Sequence, residues 1–298
     1  MEKEDYMKIA IELARKARGH TNPNPMVGAV IVKNGKIIGQ GYHEYCGGLH
    51  AERNALAACK EDPANSDLYV TLEPCCHYGR TPPCTEAILE AKIARVFIGS
   101  RDPNPLVAGK GIATLEKGGV QVEADVLKEA CDALNEIFFY YISHKMPYVV
   151  MKYAMTADGK IATQTGDSKW ITGEMARKHV HETRNALMGI MVGIGTVLTD
   201  NPMLNCRIEG GKNPIRIICD SGLRIPETSQ IVKTAKEIPT IVAAVQRNKT
   251  KEQELAAAGV ELIFTPSADG KVDLTFLMKE LGKRNIDSIL LEGGGALN

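Results

Sequence analysis

Short apolar runs of strand length alternate with helical patterns along nearly the whole sequence. That alternation restricts the chain to layered α/β architectures, in which helices cover the faces of a sheet. Residues 27–32 form a continuous apolar run, followed by Asn34-Gly35 and then Ile37-Ile38, which predicts a tight hairpin. Ahead of it, Met7, Ile9, Ala10, Leu13, Ala14 and Ala17 stand at helical spacing. Residues 51–60 and 85–91 read as helices, and 68–72 and 96–98 as strands. A helix over 112–117 and a short strand over 120–122 close this first run. The alternation breaks near Ser143-His144-Lys145-Met146-Pro147. Pro147 cannot continue the helical stretch before it, and a strand over 148–153 begins at once. A chain of 298 residues divided there gives domains 1–145 and 146–298. In the second, strands are predicted at 190–192, 215–219, 241–245, 261–264 and 288–291, with helices between them.

Composition narrows what such a chain can be for. Hydrophobic residues make up 44% and charged residues 24%, which excludes a disordered chain. The 36 basic and 36 acidic side chains cancel, which argues against nucleic acid as a partner and leaves room for a small phosphorylated one. The start, Met1-Glu2-Lys3-Glu4-Asp5, lacks the apolar core of a secretory signal. No apolar run approaches the ~18 residues that cross a bilayer. A cytoplasmic protein with no membrane partner is expected, one that assembles as a homo-oligomer, as many soluble enzymes do. There, thiols stay reduced. Of eight cysteines, Cys75, Cys76 and Cys84 crowd into one short stretch, which points to metal binding or catalysis before disulfides.

His50-Ala51-Glu52 stands at a predicted helix start, and Pro74-Cys75 and Cys84 follow downstream, each just before or at another. One imidazole and two thiolates make three ligands for a tetrahedral zinc, with the fourth position left for water. Two thiolates cancel the ion's formal charge, so a carboxylate is needed to take the water's proton and deliver it to the leaving group. Glu52, two residues from a ligand, is placed for that shuttle. The competing reading is a closed structural site, for which Cys76 or His77 would supply the fourth ligand. The general zinc-deaminase signature is H-x-E followed by P-C-x-x-C. Here nine positions, not three, separate Cys75 from Cys84.

That long loop carries a resemblance. Thr71-Leu72-Glu73-Pro74-Cys75-Cys76-His77-Tyr78-Gly79-Arg80-Thr81-Pro82-Pro83-Cys84 resembles the zinc loop of the pyrimidine deaminases of riboflavin biosynthesis. Asn22-Pro23-Asn24-Pro25-Met26-Val27-Gly28 and Gly48-Leu49-His50-Ala51-Glu52 match the same family upstream. The resemblance runs on through the second half, to the family's bifunctional deaminase-reductases. It implies a cytidine-deaminase-like three-layer α/β/α domain, with one zinc ion on His50, Cys75 and Cys84 and Glu52 as proton carrier. The implied substrate is 2,5-diamino-6-ribosylamino-4(3H)-pyrimidinone 5′-phosphate, with Asn24, His77, Arg80 and Asn104 facing its ring or its phosphate. A deaminase acting on a base in RNA is the rival, and zero net charge and the long loop speak against it.

The second half is less decisive by itself. It has no G-x-G-x-x-G after its first strand, so a standard dinucleotide fingerprint is absent. The resemblance instead implies a dihydrofolate-reductase-like α/β domain that takes NADPH. The matching segments are Met151-Lys152-Tyr153-Ala154-Met155-Thr156-Ala157-Asp158-Gly159-Lys160-Ile161-Ala162, Ser168-Lys169-Trp170-Ile171-Thr172-Gly173, Gly193-Ile194-Gly195-Thr196-Val197-Leu198-Thr199-Asp200-Asn201-Pro202 and Leu204-Asn205-Cys206-Arg207. Carried over by position, Ala154, Trp170, Thr196, Asp200, Ser221 and the Gly293, Gly294, Gly295 loop would contact NADPH. Ser168, Arg184, Leu204, Arg207 and Glu292 would hold the substrate, and Lys152 would help position the ribose or supply a proton. The implied reaction delivers a hydride to C1′ of the ribosylamine, giving the ribityl product 5-amino-6-ribitylamino-uracil 5′-phosphate. Residues 289–296 read as a strand opening into a glycine-rich turn, which usually leads into a helix whose N-terminus holds phosphate. The sequence reaches Asn298 where that helix would begin, so a chain truncated at its C-terminus is expected. The alternative for the whole is a deaminase alone, with a reductase-like nucleotide-binding module inactive in this chain.

Overall fold

The computed structural model describes residues 1–79, 82–165, 167, 170–293 and 297. The chain divides into two compact units, Met1–His144 and Lys145–Asn298. The first runs α1 (Lys3–Arg15), β1 (Gly28–Lys33), β2 (Lys36–Tyr42), α2 (Ala51–Ala57), β3 (Asp67–Leu72), α3 (Cys84–Glu90), β4 (Arg95–Ser100), α4 (Lys110–Lys117), β5 (Gln121–Glu123), α5 (Lys128–Leu134) and α6 (Glu136–His144). Its sheet has the order β2-β1-β3-β4-β5. β1 is antiparallel to β2 and β3, while β3, β4 and β5 are parallel. The β1–β2 turn is Asn34-Gly35, both at positive φ, the conformation that a two-residue hairpin requires.

Strand alternation builds the three layers. Ala29, Ile31, Leu68, Val70, Val96 and Ile98 face one side and pack with Ala51 and Ala55 of α2, Ile88 of α3 and Leu115 of α4. Val30, Val32, Tyr69 and Phe97 face the other, against Tyr6, Met7, Ala10 and Ile11 of α1 and Cys131 of α5. Side chains that alternate along a strand thus fill two separate cores. The predicted 51–60 helix stops at Ala57, because the Lys60 amide turns away to bond the Ile38 carbonyl at 3.0 Å.

The second unit runs β6 (Tyr148–Met151), α7 (Glu174–Ala186), β7 (Gly189–Gly193), α8 (Ile194–Asp200), β8 (Ile215–Cys219), α9 (Gln230–Lys233), β9 (Thr240–Ala244), α10 (Lys249–Ala257), β10 (Val260–Phe264), β11 (Ser267–Ala268), β12 (Lys271–Val272), α11 (Leu274–Lys283) and β13 (Ser288–Leu291). Its main sheet is wholly parallel, in the order β10-β9-β8-β7-β13-β6. Ile190, Val192, Ile218 and Val242 pack toward α8, α9 and α10, and Met191, Ile217, Ile241 and Ile289 toward α11. The chain steps outward from β7 to β10 and returns to insert β13 between β7 and β6. Such a reversal of strand order opens a crevice at the carboxyl ends of the strands. β6 ends at Met151 rather than at residue 153, since it pairs only with β13 and that ladder finishes at Leu291.

Candidate functional site

In the first unit, the segment that follows β3 meets the N-termini of α2 and α3. His50 precedes the first turn of α2, Cys75 follows β3, and Cys84 opens α3. The Cys75 and Cys84 sulfurs stand 3.4 and 3.3 Å from His50 Nδ1, and the three ligand atoms lie within 4.8 Å of one another. Among the described residues no other group of histidine, cysteine or carboxylate side chains comes together in this way. Cys76 turns its sulfur toward the Leu106 carbonyl instead, and His77 does not join the cluster. The site therefore offers three protein ligands, which is the open set of a catalytic zinc rather than a closed structural one.

α2 is held tightly on the hairpin. A Cβ on Gly39 would stand 2.4 Å from the Ala55 carbonyl oxygen, and one on Gly41 would stand 2.5 Å from the Ala55 nitrogen. Only glycine lets the helix come this close, and the helix carries Glu52 in its first turn. Glu52 is 3% exposed and its Oε2 has no hydrogen-bond partner. Burial pushes its carboxyl up from the usual range, and the neighbouring Cys75 adds to the shift. The Cys75 thiol is drawn down to about 4 by its contact with Cys84 and by His50, against the opposing effect of burial. Cys84 is pushed up, first by its contact with Cys75 and then by burial.

Two neighbours complete this end. His43 donates from Nδ1 to the Leu49 carbonyl at 3.0 Å, so its Nε2 is free to accept from Asn24 Nδ2 at 3.3 Å. Burial holds the His43 pKa down, which keeps the ring neutral and suited to both bonds. Glu73, one residue before Pro74-Cys75, accepts from the amides of Asp102, Gly109, Gly111 and Ile112 at 3.0–3.4 Å. That carboxylate ties the loop bearing Asn104 to the loop bearing Cys75. Asn104 itself uses its side-chain oxygen to accept from the Leu106 amide at 3.1 Å, within its own turn.

In the second unit a cavity of about 580 Å³ opens at the carboxyl ends of β6, β13 and β7. Ala154, Trp170, Arg184, Thr196, Asp200, Leu204, Arg207, Glu292 and Gly293 line it, as does Lys152. Arg184 and Glu292 form a bidentate pair at 2.9 and 2.8 Å, and Arg184 Nη1 donates to the Asn205 carbonyl at 2.9 Å. Trp170 is 73% exposed and lies under the Arg177 guanidinium, 4.5 Å from its ring centre. A flat aromatic face left open beside a cavity suits stacking against a ring. Gly293 has φ +120°, and a Cβ there would stand 2.8 Å from Thr196 Oγ1, so the turn after β13 needs glycine to approach α8. Ser221 is not part of this lining; it follows β8, where its hydroxyl accepts from the Val272 amide at 3.1 Å. Arg80, Ser168, Gly294 and Gly295 lie outside the described residues.

Comparison with known proteins accounts for both sites. Residues 1–100 match the cytidine and deoxycytidylate deaminase zinc-binding region, and residues 147–298 match the RibD C-terminal domain. The chain is 57% identical to the riboflavin biosynthesis protein RibD of Actinobacillus pleuropneumoniae, over 99% of this chain and 78% of that one. It belongs to the RibD family. A crystal structure from Thermotoga maritima, a diaminohydroxyphosphoribosylaminopyrimidine deaminase/5-amino-6-(5-phosphoribosylamino)uracil reductase, superposes with a TM-score of 0.87 at 43% identity, covering 98% of this chain and 81% of that one. The RibD structure from Acinetobacter baumannii superposes with a TM-score of 0.89 at 39% identity, covering 99% and 81%. As a member of that family, this chain is a bifunctional enzyme that carries a deaminase step and a reductase step of riboflavin biosynthesis, with zinc and NADPH as cofactors. Its two units have the cytidine-deaminase-like and RibD reductase-like folds.

His43, Glu73 and His181, the last on the wall of the second unit's cavity, were not singled out from the sequence. Each is a single polar residue whose partners lie elsewhere in the chain. The position of Glu73, one residue before Pro-Cys, was the one local signal available.

Proposed function

We propose that the 1–145 domain deaminates 2,5-diamino-6-ribosylamino-4(3H)-pyrimidinone 5′-phosphate and that the 146–298 domain reduces the ribosyl chain of the product to ribityl. The observation that carries the first step is the convergence of His50, Cys75 and Cys84 beside a buried carboxylate with an orphaned oxygen. One imidazole and two thiols at these distances fit zinc, which when bound there supplies Lewis acidity to a water. Glu52 takes the proton at Oε2 and passes it to the departing amine. Burial raises the Glu52 pKa, which makes the carboxylate a better acceptor for the proton it then returns to the departing amine. Asn24, His77 and Asn104 face the pyrimidine or its phosphate, with Asn24 oriented through His43.

In the second domain NADPH supplies the hydride. Trp170, Thr196, Asp200 and Gly293 hold the cofactor, while Arg184, Leu204, Arg207 and Glu292 hold the substrate. The Arg184–Glu292 pair fixes that wall, and Arg207 takes the phosphate. No helix among the described residues is long and apolar enough to cross a membrane. The enzyme works in the cytoplasm as a homo-oligomer.

The test of this assignment is to assay each half-reaction separately on Arg207→Ala. A charged contact to phosphate left unmade costs roughly 1.5–3 kcal/mol, about one to two decades in kcat/KM for reduction. Zinc content and ammonia release should match the parent chain. Equal losses in both reactions would contradict the assignment of Arg207 to the reductase site.

A further inference from the structure

Two of the arginines that line the cavity of the second unit are in different states. Arg184 is committed, since Nε and Nη2 serve Glu292 and Nη1 serves the Asn205 carbonyl. Arg207 is exposed and makes one side-chain hydrogen bond among the described residues, from Nε to Nε2 of His181 at 3.1 Å. Its two terminal nitrogens have no protein partner there. His181 stands on α7, three residues before Arg184, and also lines the cavity.

A guanidinium can only donate, so His181 Nε2 must present a lone pair, and the ring must be neutral with its proton on Nδ1. The surroundings favour that form. His181 is held below its usual pKa by burial and by the charges of Arg184 and Arg207, with Glu292 and the Asn205 backbone opposing. Nδ1 is itself buried and interacts with the Asn205 backbone, so Nε2 is the nitrogen left to meet Arg207. The backbone reinforces the contact. The Cys206 thiol donates to the His181 carbonyl at 3.4 Å, and the Cys206 amide donates to Asn213 Oδ1 at 2.9 Å. Together with the bond from Arg184 Nη1 to the Asn205 carbonyl, the contact between Cys206 and His181 pins the segment bearing Arg207 to α7 at two points.

We propose that His181 is the positioning residue for Arg207 and, through it, a determinant of specificity for a phosphorylated substrate in the reductase reaction. This rests on the reading of Arg207 as the phosphate ligand. A hydrogen bond at Nε fixes the plane of the guanidinium, and that leaves Nη1 and Nη2 as a forked pair of donors. Such a fork matches two oxygens of one phosphate. Without His181 the long side chain keeps its charge and loses its orientation.

The experiment measures reduction by the 298-residue chain, with the deaminated ribosylamino phosphate and with the same compound lacking its phosphate. His181→Phe should raise KM for the phosphorylated compound about tenfold, the effect of losing roughly one hydrogen bond to a charged group. Its kcat, its KM for NADPH and its KM for the dephosphorylated compound should stay at parent values. His181→Gln, whose side-chain oxygen can accept from Nε, should restore most of the loss. Placed on Arg207→Ala, His181→Phe should add nothing further. Ammonia release from the same preparations reports that the chain is folded. A KM raised equally for both compounds, a fall in kcat, or no rescue by glutamine would overturn the positioning role while leaving Arg207 as phosphate ligand. An Arg207→Ala chain with unchanged KM for the phosphorylated compound would overturn the phosphate reading itself, and the proposal with it.

Discussion

Glu52 and Asp102 are both buried carboxyls in the first unit, and burial disfavours the ionised form of each. Their surroundings give them different consequences. Glu52 adjoins the ligand His50 and is not needed to hold the metal, so Glu52→Gln should keep one zinc per chain. Its loss as proton carrier should lower deamination ~10²–10⁴-fold, the range for a general acid–base group. Metal analysis and ammonia release on one preparation check both parts, and a variant that lost its zinc would make Glu52 a ligand instead. Asp102 accepts from the Asn104 amide at 2.8 Å and lies near the Glu73 carboxylate. Burial raises its pKa to about 6, against the lowering effect of the Asn104 bond and with a further push from Glu73. A carboxyl raised on folding binds its proton more tightly in the native state, so its cost to stability is absent below its unfolded pKa. The cost grows as the pH climbs toward the folded value. Asp102→Asn should therefore be no more stable than the parent near pH 4 and about 2 kcal/mol more stable at pH 7. Thermal unfolding across that range is the check, and a gap between variant and parent that narrowed with rising pH would be the wrong sign.

Glu73 acts on whole elements. Its two oxygens accept from Gly111 and Ile112 in the first turn of α4 and from Asp102 and Gly109 in the loop before it. The first amides of a helix have no partner within the helix, and a carboxylate set against them answers both the hydrogen bonds and the dipole. Gly111 is where the loop passes closest, since a Cβ there would stand 2.2 Å from the Pro74 carbonyl oxygen. Glutamine cannot replace this residue, because its NH₂ would face amides that also donate. Glu73→Gln should thus cost about as much as Glu73→Ala, roughly 3 kcal/mol from charged hydrogen bonds left unmade. Unfolding in urea measures it, and a glutamine variant as stable as the parent would refute the cradle. Nothing in the sequence announces that role, because the four amides lie 29–39 residues away from Glu73. The hairpin turn at Asn34-Gly35 is the contrasting case. Its conformation is written in two adjacent residues, and the strand boundaries on either side follow from it. The ends of α2 and β6 were harder to read, being set by the Ile38 carbonyl and by the length of β13, neither of which is local.

At the scale of the molecule, each unit carries a sheet with its own two cores, and each places its site at the carboxyl ends of its strands. The zinc set was legible because cysteine and histidine are rare and their chemistry is narrow, so three positions and a long spacing sufficed. The reductase cavity was legible only through resemblance. Its arginines and glutamate are ordinary residues until the fold sets Arg184 against Glu292 from 108 positions away and Arg207 against His181 from 26. The central claim is that one chain performs a metal-dependent deamination and then a cofactor-dependent reduction. The most direct measurement supplies the diaminopyrimidine ribosyl phosphate to the zinc-loaded 298-residue chain, with and without NADPH, and identifies the products by mass. Without NADPH the product should carry oxygen in place of one amino group, with ammonia released and the sugar unreduced. With NADPH it should gain one hydride and one proton more, and a zinc chelator should abolish both changes while reduction of added deaminated intermediate persists. Reduction of the starting diamino compound without loss of ammonia, or deamination that survives removal of the metal, would contradict the account.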